Sequence, residues 1–138
     1  MTEKPDRHGL ETPEAQLEAE HRAINDLVTR VEGARDARAL VAPLADLRKL
    51  LSDHFAHEER PGGLYDRMGV VSAEFRDRVR TLVDEHFRLL STVRTLEQQS
   101  KSGAGGDIVR EARSIGASLR QHEKLEQELV EAAKRVHG

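Results

Sequence analysis

The sequence predicts an all-α protein, an antiparallel up-down-up-down four-helix bundle. Its 138 residues suffice for one domain with a single buried core. Charged residues make up 34% of the chain and aromatic residues only 3%, which favours long helices with solvated outer faces over sheets. Four stretches repeat apolar residues at alternating steps of three and four, which places those side chains on one helix face. Short connections between such helices favour a bundle.

Proline and capping residues divide the N-terminal half of the chain into a tail and two predicted helices. We expect residues 1–11 to form a disordered polar tail and residues 12–138 to form the bundle. Pro13 is suited to the first turn of helix 1. Asp36 is a candidate cap for helix 2, and Pro43 predicts a kink or a short preliminary turn within that helix.

The C-terminal half is divided by glycine and by capping residues. Residues 61–63, Pro-Gly-Gly, break the chain, and residues 64–71 form a connector with room for a short helical turn. Ser72 is a good cap for helix 3. The glycine-rich stretch 101–106 predicts a flexible loop, and Asp107 is expected to cap helix 4.

Composition excludes several classes of function. The chain has no cysteine, so disulfides, thiolate metal sites and cysteine nucleophiles are excluded, and any metal must bind nitrogen and oxygen. A formal charge of −3 without a basic tract argues against a nucleic-acid partner. The N-terminus has no apolar core of a secretory signal, and no stretch approaches the roughly 20 apolar residues of a membrane span. We therefore expect a cytoplasmic protein without a membrane partner. No feature predicts a protein partner.

The predicted inward stripes are apolar except at one or two positions each, and those positions hold only histidine or glutamate. Burying an unpaired carboxylate costs several kcal/mol, so such residues must meet one another or a metal. The six residues are His21 on helix 1, His54 and Glu58 on helix 2, His86 on helix 3, and His122 and Glu126 on helix 4.

The positions of these residues along their helices place them at a similar height in the predicted bundle. His86 lies 15 residues before Lys101, and His122 lies 15 residues after Asp107. At ~1.5 Å per residue, both lie roughly 22 Å from the same end of the bundle. The six side chains are therefore predicted to converge on one layer.

Neutral imidazole and carboxylate groups suit iron, manganese or zinc. Two central carboxylates can bridge a pair of metal ions and offset much of their charge. We interpret Glu58 and Glu126 as bridging ligands, with the four histidines divided as two per metal ion.

Several residues near the predicted ligands give weaker indications of a role at the site. His57 is expected on the surface or behind a ligand, and Glu59 is a candidate hydrogen-bond acceptor behind the ligands. Tyr65 could donate a hydrogen bond or an electron at the site, although packing in the connector is the favoured interpretation. Three acidic residues directly precede predicted ligands and are interpreted as surface charge: Glu20, Asp53 and Glu85.

The pattern resembles the hemerythrin-like, or HHE, domain family over about residues 15–135. The matching pieces are His21, His54-Phe-Ala-His-Glu58, Glu85-His86-Phe-Arg-Leu-Leu and His122-Glu-Lys-Leu-Glu126. The resemblance implies a four-helix bundle that holds two iron ions, oxo- or hydroxo-bridged, and binds oxygen or related small molecules.

Two departures separate this chain from oxygen-carrying hemerythrins. Leu82 stands where those proteins place the first of two helix 3 histidines. Gln127 stands where they use an aspartate, with Glu126 one residue earlier. The remaining set looks more like the broader HHE group, whose implied roles include sensing of iron or oxygen, peroxide handling and nitric oxide responses.

Three hypotheses for the function follow from these observations. The first is a di-iron protein that binds or reacts with O2, peroxide or NO, as a sensor or as a modest oxidoreductase of catalase or peroxidase type. The second is a signalling or interaction module in which the metal only stabilises the bundle. The third is a metal-free helical scaffold, and six ionisable groups buried on one layer argue against it.

Overall fold

Four long helices and one short helix make up the described part of the chain. The computed structural model describes residues 13–103 and 107–137, and these contain no strand. The predicted tail, residues 1–11, lies outside the described residues, as do residues 104–106 of the predicted loop. The helices are α1 (Pro13–Glu32), α2 (Ala37–Glu59), α3 (Leu64–Gly69), α4 (Ala73–Ser102) and α5 (Ile108–His137). The all-α prediction is confirmed.

The long helices form a bundle in which α1 packs against α2 and α5, and α4 packs against α2 and α5. Their antiparallel up-down-up-down order remains a prediction. The short helix α3 lies against α4 and also contacts α2 and α5. Within the described ranges, no helix combines the length and apolar content needed to cross a bilayer.

Two helices begin at their predicted caps. The Asp36 carboxylate accepts a hydrogen bond of 2.9 Å from the backbone N–H of Ala39, and the Ser72 hydroxyl accepts one of 3.2 Å from that of Phe75. Each bond pairs an N–H that has no partner within its helix. These caps fix where α2 and α4 begin, and hence the height of their histidines in the bundle.

The structure narrows one expectation about the helices and corrects another. Helix α2 runs continuously from Ala37 through Pro43, so there is no separate preliminary turn, and a kink at Pro43 remains a prediction. Pro43 lies in the second turn and leaves a single carbonyl without its usual partner, which the helix tolerates. Helix α4 continues to Ser102 and ends at Gly103, whose φ of 70° is a left-handed conformation that glycine adopts readily. The helix therefore includes the first two residues of the predicted loop.

The core consists of two apolar clusters with a polar layer between them. On α4, Leu82 belongs to one cluster and Leu89 to the other, with His86 between them. On α5, Leu119 and Leu129 flank the polar layer in the same way. Apolar packing above and below limits the access of water to this layer, which strengthens the electrostatic interactions inside it.

Candidate metal centre

The polar layer contains all six residues that the sequence singled out. They form two overlapping groups that share Glu58 and Glu126. One group adds His21 and His54, and the other adds His86 and His122. Within each group, four ligand atoms lie within 4.8 Å of one another, close enough for one cation to contact them all. The two groups are therefore two candidate cation sites that have both carboxylates in common.

The layer is buried on most sides. Glu58 is fully buried, and His54, His86, His122 and Glu126 are also buried. The aromatic ring of Phe55 stacks on the imidazole of His86, with 3.7 Å between their centroids. His21 differs from the others, because 22% of its side chain is exposed.

The inward atoms of the layer are poorly paired. Among the described residues, neither Glu58 oxygen has a hydrogen-bond partner, and neither does Nε2 of His122. Nε2 of His54 and Nε2 of His86 each lie 3.1 Å from a Glu58 oxygen without forming a hydrogen bond. An unpaired buried polar group costs about 1–3 kcal/mol, and more if it is charged. A cation bound between these atoms would satisfy them, so the residues fit a metal.

The outward nitrogens of three histidines are paired with carboxylates from neighbouring helices. The Nδ1 contacts are His54 with Glu20 (2.6 Å), His86 with Glu59 (2.6 Å), and His122 with Glu85 (2.5 Å). An ionised carboxylate only accepts hydrogen bonds, so each Nδ1 carries the proton. A proton on Nδ1 leaves Nε2, the inward nitrogen, free to bind a metal ion.

These contacts correct the interpretation of two residues. Glu20 and Glu85 were predicted to be surface charge, and the structure shows each bonded to a buried histidine. A residue next to an inward one is rotated by about 100° on the helix, which here directs it along a helix–helix boundary. Asp53 is exposed as predicted. Glu59 is the predicted acceptor, and His57 lies behind a ligand, with Nδ1 at 2.7 Å from a Glu20 oxygen.

The interpretation of Tyr65 is also corrected, because packing was its favoured role. Its hydroxyl donates a hydrogen bond of 2.6 Å to Glu126 and lies 2.9 Å from Nε2 of His86. Burial, followed by the negative charges of Glu126 and Glu58, raises the pKa of Tyr65 far above its usual range, so the phenol keeps its proton. A hydrogen bond at the site was the less favoured alternative, because Tyr65 belongs to the short helix α3 rather than to an apolar stripe.

The inner groups differ in how strongly they hold protons in the metal-free chain. Burial alone would raise the pKa of Glu58, but the imidazoles of His21 and His54 outweigh burial and hold it well below its usual range. Burial, with the negative charge of Glu58, raises the pKa of Glu126 to about 7. Burial opposes the charged form of His21, yet Glu126 and Glu58 raise its pKa to about 10. Protons and a metal cation therefore compete for the same atoms.

Two clefts approach the layer from the surface. A cleft of about 110 Å³ is lined by His21 and Glu126 together with Leu17, Val130 and Lys134, so it reaches the inward side of the layer. A larger groove of about 510 Å³ between α4 and α5 reaches Glu85 and His122. Because Glu85 contacts Nδ1, the outward nitrogen of His122, this groove reaches the contact that faces away from the layer.

A helical bundle with imidazole and carboxylate groups gathered in its core has the architecture of a metal-binding helical domain. The hemerythrin HHE cation-binding domain model matches residues 12–133. The chain therefore belongs to the hemerythrin HHE family, whose domains bind metal cations. Comparison with curated proteins and with solved structures gives no significant match.

Proposed function

We propose that this protein is a non-haem di-iron protein that binds or reacts with O2, peroxide or NO. The observation that carries the proposal is the fully buried Glu58 carboxylate, unpaired among the described residues and shared by both ligand groups. Glu58 and Glu126 would bridge the two ions. His21 and His54 would complete the ligands of one ion, and His86 and His122 those of the other.

The donor set supports iron. Four neutral imidazoles and two carboxylates are ligands for Fe, and also for Mn and Zn, and the absence of cysteine excludes sites that need thiolate. The resemblance to hemerythrins favours iron among these metals. Bound iron would supply electron transfer to or from a small ligand, chemistry that the side chains alone do not provide.

The narrow cleft supports a small ligand. Its volume of about 110 Å³ is well below the roughly 300–1,000 Å³ typical of pockets for drug-sized molecules. A water molecule occupies about 30 Å³ in the liquid, so the cleft admits a diatomic gas or peroxide with its solvent. A small molecule entering there meets the ion position beside His21, the most exposed of the predicted ligands.

Tyr65 would act through Glu126. Its hydroxyl keeps its proton and lies within hydrogen-bond distance of both Glu126 and His86. Its single O–H proton is donated to Glu126, so Tyr65 can hold that carboxylate in place. This is a positioning role that requires no ionised phenolate.

The two departures from the oxygen carriers are consistent with a different use of the site. Leu82 is buried in the apolar cluster on one side of the layer and provides no ligand atom. Gln127 is exposed and donates a hydrogen bond of 3.1 Å to Glu131 along the outside of α5. Neither residue replaces the ligand that oxygen carriers have there. We therefore place the function with sensing, or with peroxide and oxygen handling, rather than with oxygen transport.

The reactivity of iron-loaded protein tests this proposal. Protein loaded anaerobically with ferrous iron should develop the charge-transfer absorption of a ferric pair on exposure to O2 or peroxide, and dithionite should bleach it. NO should give a separate spectral change in the ferrous form. Protein that binds iron but shows no spectral response to O2, peroxide or NO would refute the proposal and favour the alternative, a metal-stabilised interaction module.

A further inference from the structure

Every histidine of the layer has a glutamate at its outward nitrogen, and the four glutamates follow the helices around the bundle. In addition to the three hydrogen-bonded pairs, Nδ1 of His21 lies 3.2 Å from a Glu123 oxygen. We call the four glutamates the outer glutamate ring: Glu20, Glu59, Glu85 and Glu123. The ring runs from Glu20 of α1 to His54 of α2, from Glu59 of α2 to His86 of α4, from Glu85 of α4 to His122 of α5, and from Glu123 of α5 to His21 of α1.

We propose that the outer glutamate ring orients the four histidines for metal binding and biases the centre toward trivalent ions. The inference rests on the proposed function, since it concerns the metal ions of the same site. It assigns a role to four glutamates that are not predicted metal ligands. It also implies that the iron centre rests in the oxidised state.

The orienting effect follows from the contacts. A histidine ring can bind through either nitrogen, and the carboxylate on Nδ1 settles which nitrogen carries the proton. Because each glutamate comes from a neighbouring helix, the ring also ties adjacent helices together at the height of the layer. The imidazoles are thereby aimed inward before any metal arrives.

The bias toward trivalent ions follows from charge. Glu58 and Glu126 place two carboxylates between the ion positions, and the ring adds four more on the far side of the imidazoles. Negative charge stabilises an ion more strongly the higher the charge of that ion, and the apolar clusters on either side limit screening by water. A hydrogen bond from Nδ1 to a carboxylate also makes the imidazole a stronger donor. Both effects favour the ferric over the ferrous state.

This bias has a consequence for function. A reversible oxygen carrier has to rest in the reduced state in order to take up O2. A centre that favours ferric ions is better suited to reaction with peroxide or to reporting an oxidant. The ring therefore favours oxidant handling or sensing among the proposed roles.

The four ring positions are not equally screened. The exposed fractions of the side chains are 15% for Glu20, 23% for Glu85, 32% for Glu123 and 37% for Glu59. Solvent weakens the field of an exposed charge, so Glu20 should have the largest effect and Glu59 the smallest. Glu20 also bonds His57 through its second oxygen, which holds the carboxylate in place.

The test compares iron-loaded wild-type protein with Glu20→Gln and with the control Asp53→Asn. Glutamine keeps an acceptor oxygen for Nδ1 of His54 but removes the charge, and Asp53→Asn removes one exposed charge next to the same ligand. We expect Glu20→Gln to raise the midpoint potential of the iron centre clearly above those of wild type and of the control. Equal potentials in Glu20→Gln and Asp53→Asn would overturn the charge bias. If Glu20→Gln does not retain iron, Glu85→Gln supplies the same comparison.

A second measurement tests orientation without redox chemistry. Zn²⁺ affinity, measured by competition with a chelator, should fall by about 10–100-fold in Glu20→Ala and stay within error of wild type in Asp53→Asn. Nitrogen-15 spectra of the Zn²⁺-loaded wild type should show the His54 proton on Nδ1. Unchanged Zn²⁺ affinity in Glu20→Ala, or a proton absent from Nδ1, would overturn the orienting role. Wild-type protein that binds no metal would overturn the proposed function as well, whereas metal-loaded protein with unshifted variants would overturn only the role of the ring.

Discussion

Replacement of Glu58 by alanine is expected to abolish stable iron binding while the helices stay folded. Glu58 is fully buried and belongs to both ligand groups, so its loss removes a ligand from each ion at once. Loss of even an outer partner of a metal ligand typically costs 10–100-fold in affinity, so loss of a shared ligand should cost at least roughly 100-fold for each ion. Iron content and the ferric absorption band measure this effect, and far-UV circular dichroism reports the fold.

Glu97 provides a matched control for this variant. It is also a buried glutamate of the bundle, but it pairs with Arg48 and Lys101 away from the polar layer. Glu97→Ala should lower the free energy of unfolding and leave the iron content unchanged. Glu58→Ala protein that still holds as much iron as the wild type would show that the shared carboxylate is not a ligand.

Removal of the metal is expected to lower the thermal stability of the wild-type protein substantially. A ligand that binds only the folded state, present at about 1,000 times its Kd, stabilises that state by about 4 kcal/mol. For a domain of this size, that corresponds to a decrease in Tm of more than about 10 °C when a chelator removes the metal. The metal-free chain also leaves the Glu58 oxygens and Nε2 of His122 without hydrogen-bond partners among the described residues.

Calorimetry of iron-loaded and chelator-treated protein measures the shift. The Glu58→Ala protein is the control, because its Tm should hardly respond to the chelator. An unchanged Tm in the wild type would favour a metal-free scaffold. A large shift without any spectral response to oxidants would favour the interaction module, so this measurement and the reactivity test together separate the three functions.

The bundle and the inner six residues could be predicted because both depend on helical periodicity. A repeat of about 3.6 residues identifies the inward face of each helix, and a histidine or glutamate on that face must be buried once the bundle forms. His86 and His122 could also be placed at one height, because residues can be counted from the neighbouring loop. These inferences need no knowledge of how far each helix is rotated against its neighbours.

The outer contacts depend on such rotations, and those of Glu20 and Glu85 were therefore missed. Glu20 and Glu85 are about 100° away from the inward direction, where a side chain can point to solvent or along a boundary with the next helix. The relative positions of the helices decide between the two, and here both side chains reach a histidine of the next helix. Asp53 also precedes a ligand and is exposed, so position in the sequence does not separate the two cases.

The hydrogen bond of Tyr65 was only the less favoured of its two predicted roles, for a different reason. Tyr65 lies on α3, a helix of six residues, which is too short for its periodicity to define a buried face. Its role depends on how α3 packs against α4, which places the hydroxyl beside Glu126 and His86. An isolated aromatic residue in a connector gives no indication of such packing.

The iron content of the purified protein is the most direct test of whether the six inner residues bind two iron ions. Protein expressed without an affinity tag in iron-supplemented medium would be analysed for metals by elemental analysis, relative to protein concentration. We expect about two iron ions per chain, one for each ligand group. A fully folded chain that contains no metal and also fails to take up ferrous iron under anaerobic conditions would contradict the proposed di-iron site.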